Sequence, residues 1–188
     1  MNKKNVECYS NLTNTQRNGL IILYTGCGKG KTTASLGMLL RAWGWGMTCC
    51  VIQFVKDEEM DTGEARAARQ LGIEWHRLGD GFTWLAEDMD EIVVKARETW
   101  RLAQEKIASE KYDLVILDEF TYPLLLRWLD THEVIAWIQA NKPPTSHLVI
   151  TGRDAVRELY HFADLVTKME NVKHPLTEGI PAQPGIEF

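Results

Sequence analysis

The sequence predicts an α/β domain built on one doubly wound, mostly parallel sheet, and three observations lead there. Short apolar runs such as Leu20-Ile21-Ile22-Leu23-Tyr24, Leu114-Val115-Ile116-Leu117 and His147-Leu148-Val149-Ile150 show no polar alternation, as expected of strands covered on both faces. Helical periodicity separates these runs, so strand and helix alternate and the crossovers are expected to be right-handed. Three of the runs end in glycine-rich or charged residues, and in such sheets ligands gather at the carboxyl ends of the strands.

Residues 1–18 are polar and rich in Asn and Thr, and read as an arm without a core of its own; residues 19–188 form the domain. The first strand, Leu20 to Tyr24, runs into Thr25-Gly26-Cys27-Gly28-Lys29-Gly30-Lys31-Thr32-Thr33. Three glycines let the backbone turn tightly and aim successive N–H groups at an anion, with no Cβ to block phosphate oxygens. Lys31 adds a mobile positive charge, and Thr32 places a hydroxyl where a phosphate-bound Mg²⁺ would need a ligand. Ala34, Leu36, Met38, Leu39 and Leu40 suit a following helix whose N-terminus faces the same anion. The spacing is a variant: the usual Gly-x-x-x-x-Gly-Lys-Ser/Thr would put glycine at position 25, where this chain has Thr25. A plain strand-to-helix turn would tolerate the glycines, but it leaves Lys29 and Lys31 crowded together with no anion to offset their repulsion.

Gly44-Trp45-Gly46 closes that helix, and Thr48 to Phe54 reads as a second strand. A short helix from about Gly63 to Leu71 stops at Gly72, and Ile73 to Leu78 alternates as a third strand. Residues 79–86 are a loop carrying Phe82 and Trp84. The next helix has the clearest stripe in the chain, Met89, Ile92, Val93, Ala96, Trp100, Ala103 and Ile107, which marks it for packing. Tyr112 to Glu119 is an apolar strand ending in two carboxylates, His147 to Arg153 a strand ending in glycine and arginine, and Asp164 to Met169 a last strand closing the sheet. The tail from about Glu170, with three prolines and two glycines, is expected to be extended.

The whole chain narrows the function classes. At 188 residues it fits one domain, and a formal charge of -5 with no long Lys/Arg block gives no general attraction to nucleic acid. Cys8, Cys27, Cys49 and Cys50 make no Cys-x-x-Cys pair, so reduced thiols and a cytoplasmic setting are expected. The apolar runs are strand-sized and the N-terminus lacks the core of a secretion signal, so neither export nor membrane insertion is expected.

Asp118 and Glu119, brought opposite the phosphate loop at a strand end, are expected to hold or orient Mg²⁺, and which of them touches the ion is left open. Arg153 is equally suited to clamping a phosphate and to capping the next helix together with Asp154. On spacing alone Phe82 and Trp84 are packing residues, and the five histidines show no metal-ligand spacing.

Taken together, Thr25 to Thr33, Gly81-Phe82-Thr83-Trp84, Leu117-Asp118-Glu119, Ile150-Thr151-Gly152-Arg153 and the ending His174-Pro175 through Gln183 to Phe188 resemble the P-loop ATP:corrinoid adenosyltransferases, also called cob(I)yrinic acid a,c-diamide adenosyltransferases, from about Gly19 to the C-terminus. The resemblance implies a P-loop NTPase-like, RecA-like architecture and transfer of the 5′-deoxyadenosyl group of ATP to Co(I) of a reduced corrinoid, releasing triphosphate. It implies ATP held by Gly26, Cys27, Gly28, Lys29, Gly30, Lys31, Thr32, Thr33 and Arg153, seated in reverse so that its 5′ carbon faces the nucleophile. Mg²⁺ would sit with Thr32, Asp118 and Glu119. Phe82 and Trp84 would face the corrinoid, excluding its lower axial ligand, and would share the catalysis with Lys31. A flavoprotein reductase, and a homodimer in which the arm reaches a neighbour's site, follow from the resemblance alone. Cys27 departs from the family, which commonly carries a polar residue such as Asn there.

Overall fold

The computed structural model describes residues 18–57, 62–79 and 89–187. The elements follow the predicted order, with β1 at Ile21–Thr25, α1 at Lys31–Gly44, β2 at Cys49–Asp57, α2 at Gly63–Leu71, β3 at Glu74–Gly79 and α3 at Met89–Ala108. The second half adds β4 at Leu114–Asp118, α4 at Thr121–Leu125, α5 at Thr131–Asn141, β5 at His147–Thr151, α6 at Arg157–Phe162 and β6 at Leu165–Lys168. Among the described residues the six strands form one sheet in the order β3-β2-β4-β5-β1-β6, and every pairing is parallel.

The apolar runs are explained by two cores, one on each face of the sheet. Successive strand residues point to opposite sides. Ile22, Val51, Ile116 and Val149 meet Leu39 and Ala42 of α1 and Ala68 of α2 on one side. Their neighbours Leu23, Ile52, Leu117 and Ile150 meet Trp100 and Ala103 of α3, Ile138 of α5 and Leu159 of α6 on the other. The stripe on α3 packs as expected, with Ile92, Ala96, Trp100, Ala103 and Ile107 all buried.

Helices α4, α5 and α6 went unassigned in the sequence. Two are only five and six residues long, too short to show a period, and α4 carries Pro123 within it. α5 begins with a standard cap, the Asp130 side chain accepting the Glu133 N–H at 2.9 Å. The tail also differs from the extended chain expected of it. Pro175–Glu178 forms a 3₁₀ turn, begun by the His174 side chain accepting the Leu176 N–H and ended at Gly179 with φ 74°.

Candidate functional site

The sheet order places the polar strand ends side by side. β4, β5 and β1 are consecutive, so Asp118-Glu119, Thr151-Gly152-Arg153 and the glycine loop after Thr25 meet at one carboxyl edge. They surround a cavity of about 440 Å³, lined by Lys29 to Thr33, Glu119, Thr151 to Arg153 and, from the tail, Gly185 to Glu187.

The loop is pinned from behind by the chain that follows β6. Met169 N–H donates to Thr25 O at 2.8 Å, and Gly28 N–H donates to Met169 O at 2.9 Å. Gly26, at φ 100°, lies so close to Met169 that a Cβ would overlap its carbonyl, and Gly28 is pressed likewise against Glu170. Glycine is thus required by contact at both positions and by dihedral angle at Gly26. Gly30, at φ 105°, hands the chain into α1, whose first residues Lys31, Thr32 and Thr33 line the cavity. A helix beginning at this point offers unpaired N–H groups to an anion.

Lys31 folds back over the loop, its ammonium donating to Gly26 O at 2.9 Å and Gly28 O at 2.6 Å. Burial lowers its pKa, and the nearby Arg153 guanidinium lowers it further. Arg153 itself donates to Cys27 O at 2.7 Å, while α6 begins later, with Val156 as its cap residue. Of the two roles open to Arg153, the geometry therefore keeps it at the loop rather than on the helix. Cys27 is exposed and contributes a carbonyl to this contact.

Asp118 is 1% exposed and its two oxygens are fully engaged. Oδ1 accepts the hydroxyls of Thr32 at 2.9 Å and Thr151 at 2.6 Å, and Oδ2 accepts the Gln53 amide at 2.8 Å. Gln53 is in turn oriented by Trp75, whose indole N–H donates to its Oε1 at 3.1 Å. Glu119 has left the strand at φ 62°, an unusual angle for a residue with a side chain; its N–H donates to Thr151 Oγ1 at 3.0 Å, and the residue lines the cavity. The oxygens of Thr32, Asp118 and Glu119 are the hard donors that a magnesium-sized cation prefers.

Sequence reasoning passed over Gln53, Thr121, Thr151 as an orienting group, and the tail. Gln53 left a signal, a lone amide within Val51-Ile52-Gln53-Phe54-Val55, a stretch otherwise apolar and buried throughout. The tail carries part of the resemblance, but its place in the wall of the site left no signal, because its return to the loop is a long-range event. Phe82 and Trp84, with residues 80–86 of their loop, lie outside the described residues, as do residues 1–17 of the arm.

Comparison with known proteins agrees with this geometry. Residues 17–188 match the family model for the ATP:corrinoid adenosyltransferases BtuR/CobO/CobP. Curated proteins named corrinoid adenosyltransferase are similar along most of their length. One from Sinorhizobium is 43% identical, covering 94% of this chain and 83% of its own. One from Pseudomonas aeruginosa is 39% identical, with 90% and 84% covered, and one from Escherichia coli K12 is 36% identical, with 90% and 86% covered. Among solved structures, the flagellar accessory protein FlaH of Methanocaldococcus jannaschii superposes with a TM-score of 0.57 at 8% identity, covering 81% of this chain and 71% of that one, a likeness of fold alone. With the glycine loop, the paired carboxylates and the family match in agreement, the chain belongs to the ATP:corrinoid adenosyltransferase family and is an adenosyltransferase acting between ATP and a corrinoid.

Proposed function

We propose that the cavity holds the triphosphate of ATP as a leaving group while Co(I) of the reduced corrinoid attacks the 5′ carbon. What supports this is the arrangement at the loop: glycine N–H groups, Lys29, Lys31, the start of α1 and Arg153 all converge where negative charge would grow. Co(I) needs no proton removed before it attacks, so the site requires no general base. Lys31 would exchange its two loop carbonyls for phosphate oxygens. Thr32 and Glu119, with Asp118 behind them, would hold Mg²⁺, which neutralises phosphate charge when bound. Thr33 and Gly30 would contribute backbone N–H groups, and Cys27 acts through its backbone.

An apolar groove of about 320 Å³ between α1 and α2 shares Leu36, Gly63 and Glu64 with the cavity, and offers surface to the part of the substrates beyond the phosphates. Phe82 and Trp84 would face the corrinoid, remove its lower axial ligand and so ease reduction of Co(II). We assign the remaining features to the same reading: a domain over 19–188 with an arm at 1–18, a homodimer, a flavoprotein reductase as electron donor, and a cytoplasmic setting. Among the described residues no helix is long and apolar enough to cross a membrane.

The test incubates the protein with ATP, Mg²⁺ and chemically reduced cobalamin, following the cobalt–carbon product by absorbance and the phosphate product by ion chromatography. Inorganic triphosphate is expected, and ADP with phosphate would sink the reading. Trp84→Ala should impair formation of the four-coordinate Co(II) species; normal handling of Co(II) corrinoid by that variant would remove the role given to the loop.

A further inference from the structure

The cradle carries an anion of its own. After β6 the chain leaves from behind the glycine loop at Met169 and Glu170, passes through the 3₁₀ turn, and returns to the cavity mouth. There the Glu187 carboxylate forms an ion pair with Lys29. The turn that delivers it is fastened, since the N–H groups of Ile186 and Glu187 both donate to Gln183 O, at 3.1 and 2.8 Å. The Glu187 side chain is only 17% exposed, against 39% for Lys29, so its carboxylate sits in the site rather than in solvent.

We propose that Glu187 is an internal competitor for the phosphate site, holding Lys29 while the cradle is empty and yielding it when a triphosphate binds. A polyphosphate on the loop would place several negative charges beside this carboxylate, and like charges at such distances repel. Lys29 therefore changes partner, and the turn at Gly185 to Glu187 moves aside. The same contact works in reverse after the reaction. The product is a free polyanion held by every donor of the cradle, and a carboxylate ready to retake Lys29 weakens that hold and speeds its departure. Glu187 thus tunes affinity for the phosphate end, without touching the reacting carbon.

This competition presupposes that the cradle is a polyphosphate site, and it is independent of which corrinoid is the acceptor. The experiment measures binding of inorganic triphosphate, with Mg²⁺, to the full chain by calorimetry, comparing the native protein with Glu187→Gln and the charge-keeping Glu187→Asp. Glu187→Gln should bind triphosphate about three- to fivefold tighter, the scale of a partly exposed ion pair. Glu187→Asp should stay close to the native protein. Unchanged or weaker binding by Glu187→Gln would overturn the competition, and failure of all three proteins to bind triphosphate would overturn the cradle itself. In the native protein, hydrogen exchange at the Ile186 and Glu187 amides should quicken when triphosphate is added; unaltered protection would refute the displacement.

Discussion

At Asp118 a single carboxylate decides the geometry of the site, because its three hydrogen bonds all come from donors that point inward. An amide in its place can serve Gln53 or accept both hydroxyls, but it cannot do both, and turning Gln53 over would forfeit its bond from Trp75. Asp118→Asn should therefore cost about 1–3 kcal/mol in urea unfolding, the price of a buried unmatched donor, and should weaken nucleotide binding by freeing Thr32. Lys31 makes the opposite case, since among the described residues its ammonium donates to loop carbonyls, those of Gly26 and Gly28. Lys31→Ala should lower adenosyl transfer about 100-fold or more while leaving unfolding nearly unchanged. Its titration gives a second check. Burial and Arg153 lower the pKa of Lys31 in the free protein, whereas a bound phosphate raises it, so binding favours the protonated form. ATP affinity should consequently fall as pH rises, beginning below the range of an ordinary lysine, and a flat profile up to the ordinary lysine value of 10.5 would contradict this.

At the level of elements, the site depends on how strands and loops are spaced. Gly152, at φ 149°, packs on buried Thr121, where a Cβ would overlap the hydroxyl that donates to Arg153 O at 2.7 Å. Gly152→Ala should therefore shift Arg153 off the loop and lower both stability and ATP affinity, as read by unfolding and by calorimetry. Away from the site, Glu74 on β3 accepts from Lys106 of α3 at 2.7 Å and also from Tyr112 and His76. These bonds, the one from Lys106 foremost, hold its carboxyl down at about 2. A depressed carboxylate contributes stability that is complete above the unfolded value near 4.5 and is lost as pH falls toward 2. Lys106→Met should shrink that acid-sensitive window, with a small effect because Glu74 is partly exposed. Cys50 lies within reach of the same carboxylate and of His76, but burial pushes its thiol up to about 12, and Glu74 is already occupied by three donors.

Over the whole molecule, what was legible follows the distance that information had to travel. The glycine loop, α1 and the Asp118-Glu119 strand end were readable because sequence neighbours carry them, and a mostly parallel sheet because β runs alternate with helices. Helices α4 and α6 were not, being too short for a period, and the return of Glu187 to Lys29 across more than 150 residues leaves no local trace. That long reach has a thermodynamic consequence. The cavity is walled by the loop after β1, the ends of β4 and β5, α1, the start of α2 and the C-terminal tail, so a nucleotide held there would touch the first and last parts of the domain together. Binding that requires all of them stabilises only the fully folded chain. At a concentration of 100 times the dissociation constant, ATP with Mg²⁺ should add about 2.7 kcal/mol, a rise in Tm of about 5–10 °C for a domain of this size. Calorimetry should show one transition moving as a unit, and Lys31→Ala should abolish the shift while keeping the starting Tm. A separate early transition unaffected by ATP would mean that part of the wall folds independently, and the reading of residues 19–188 as a single cooperative domain would then fail.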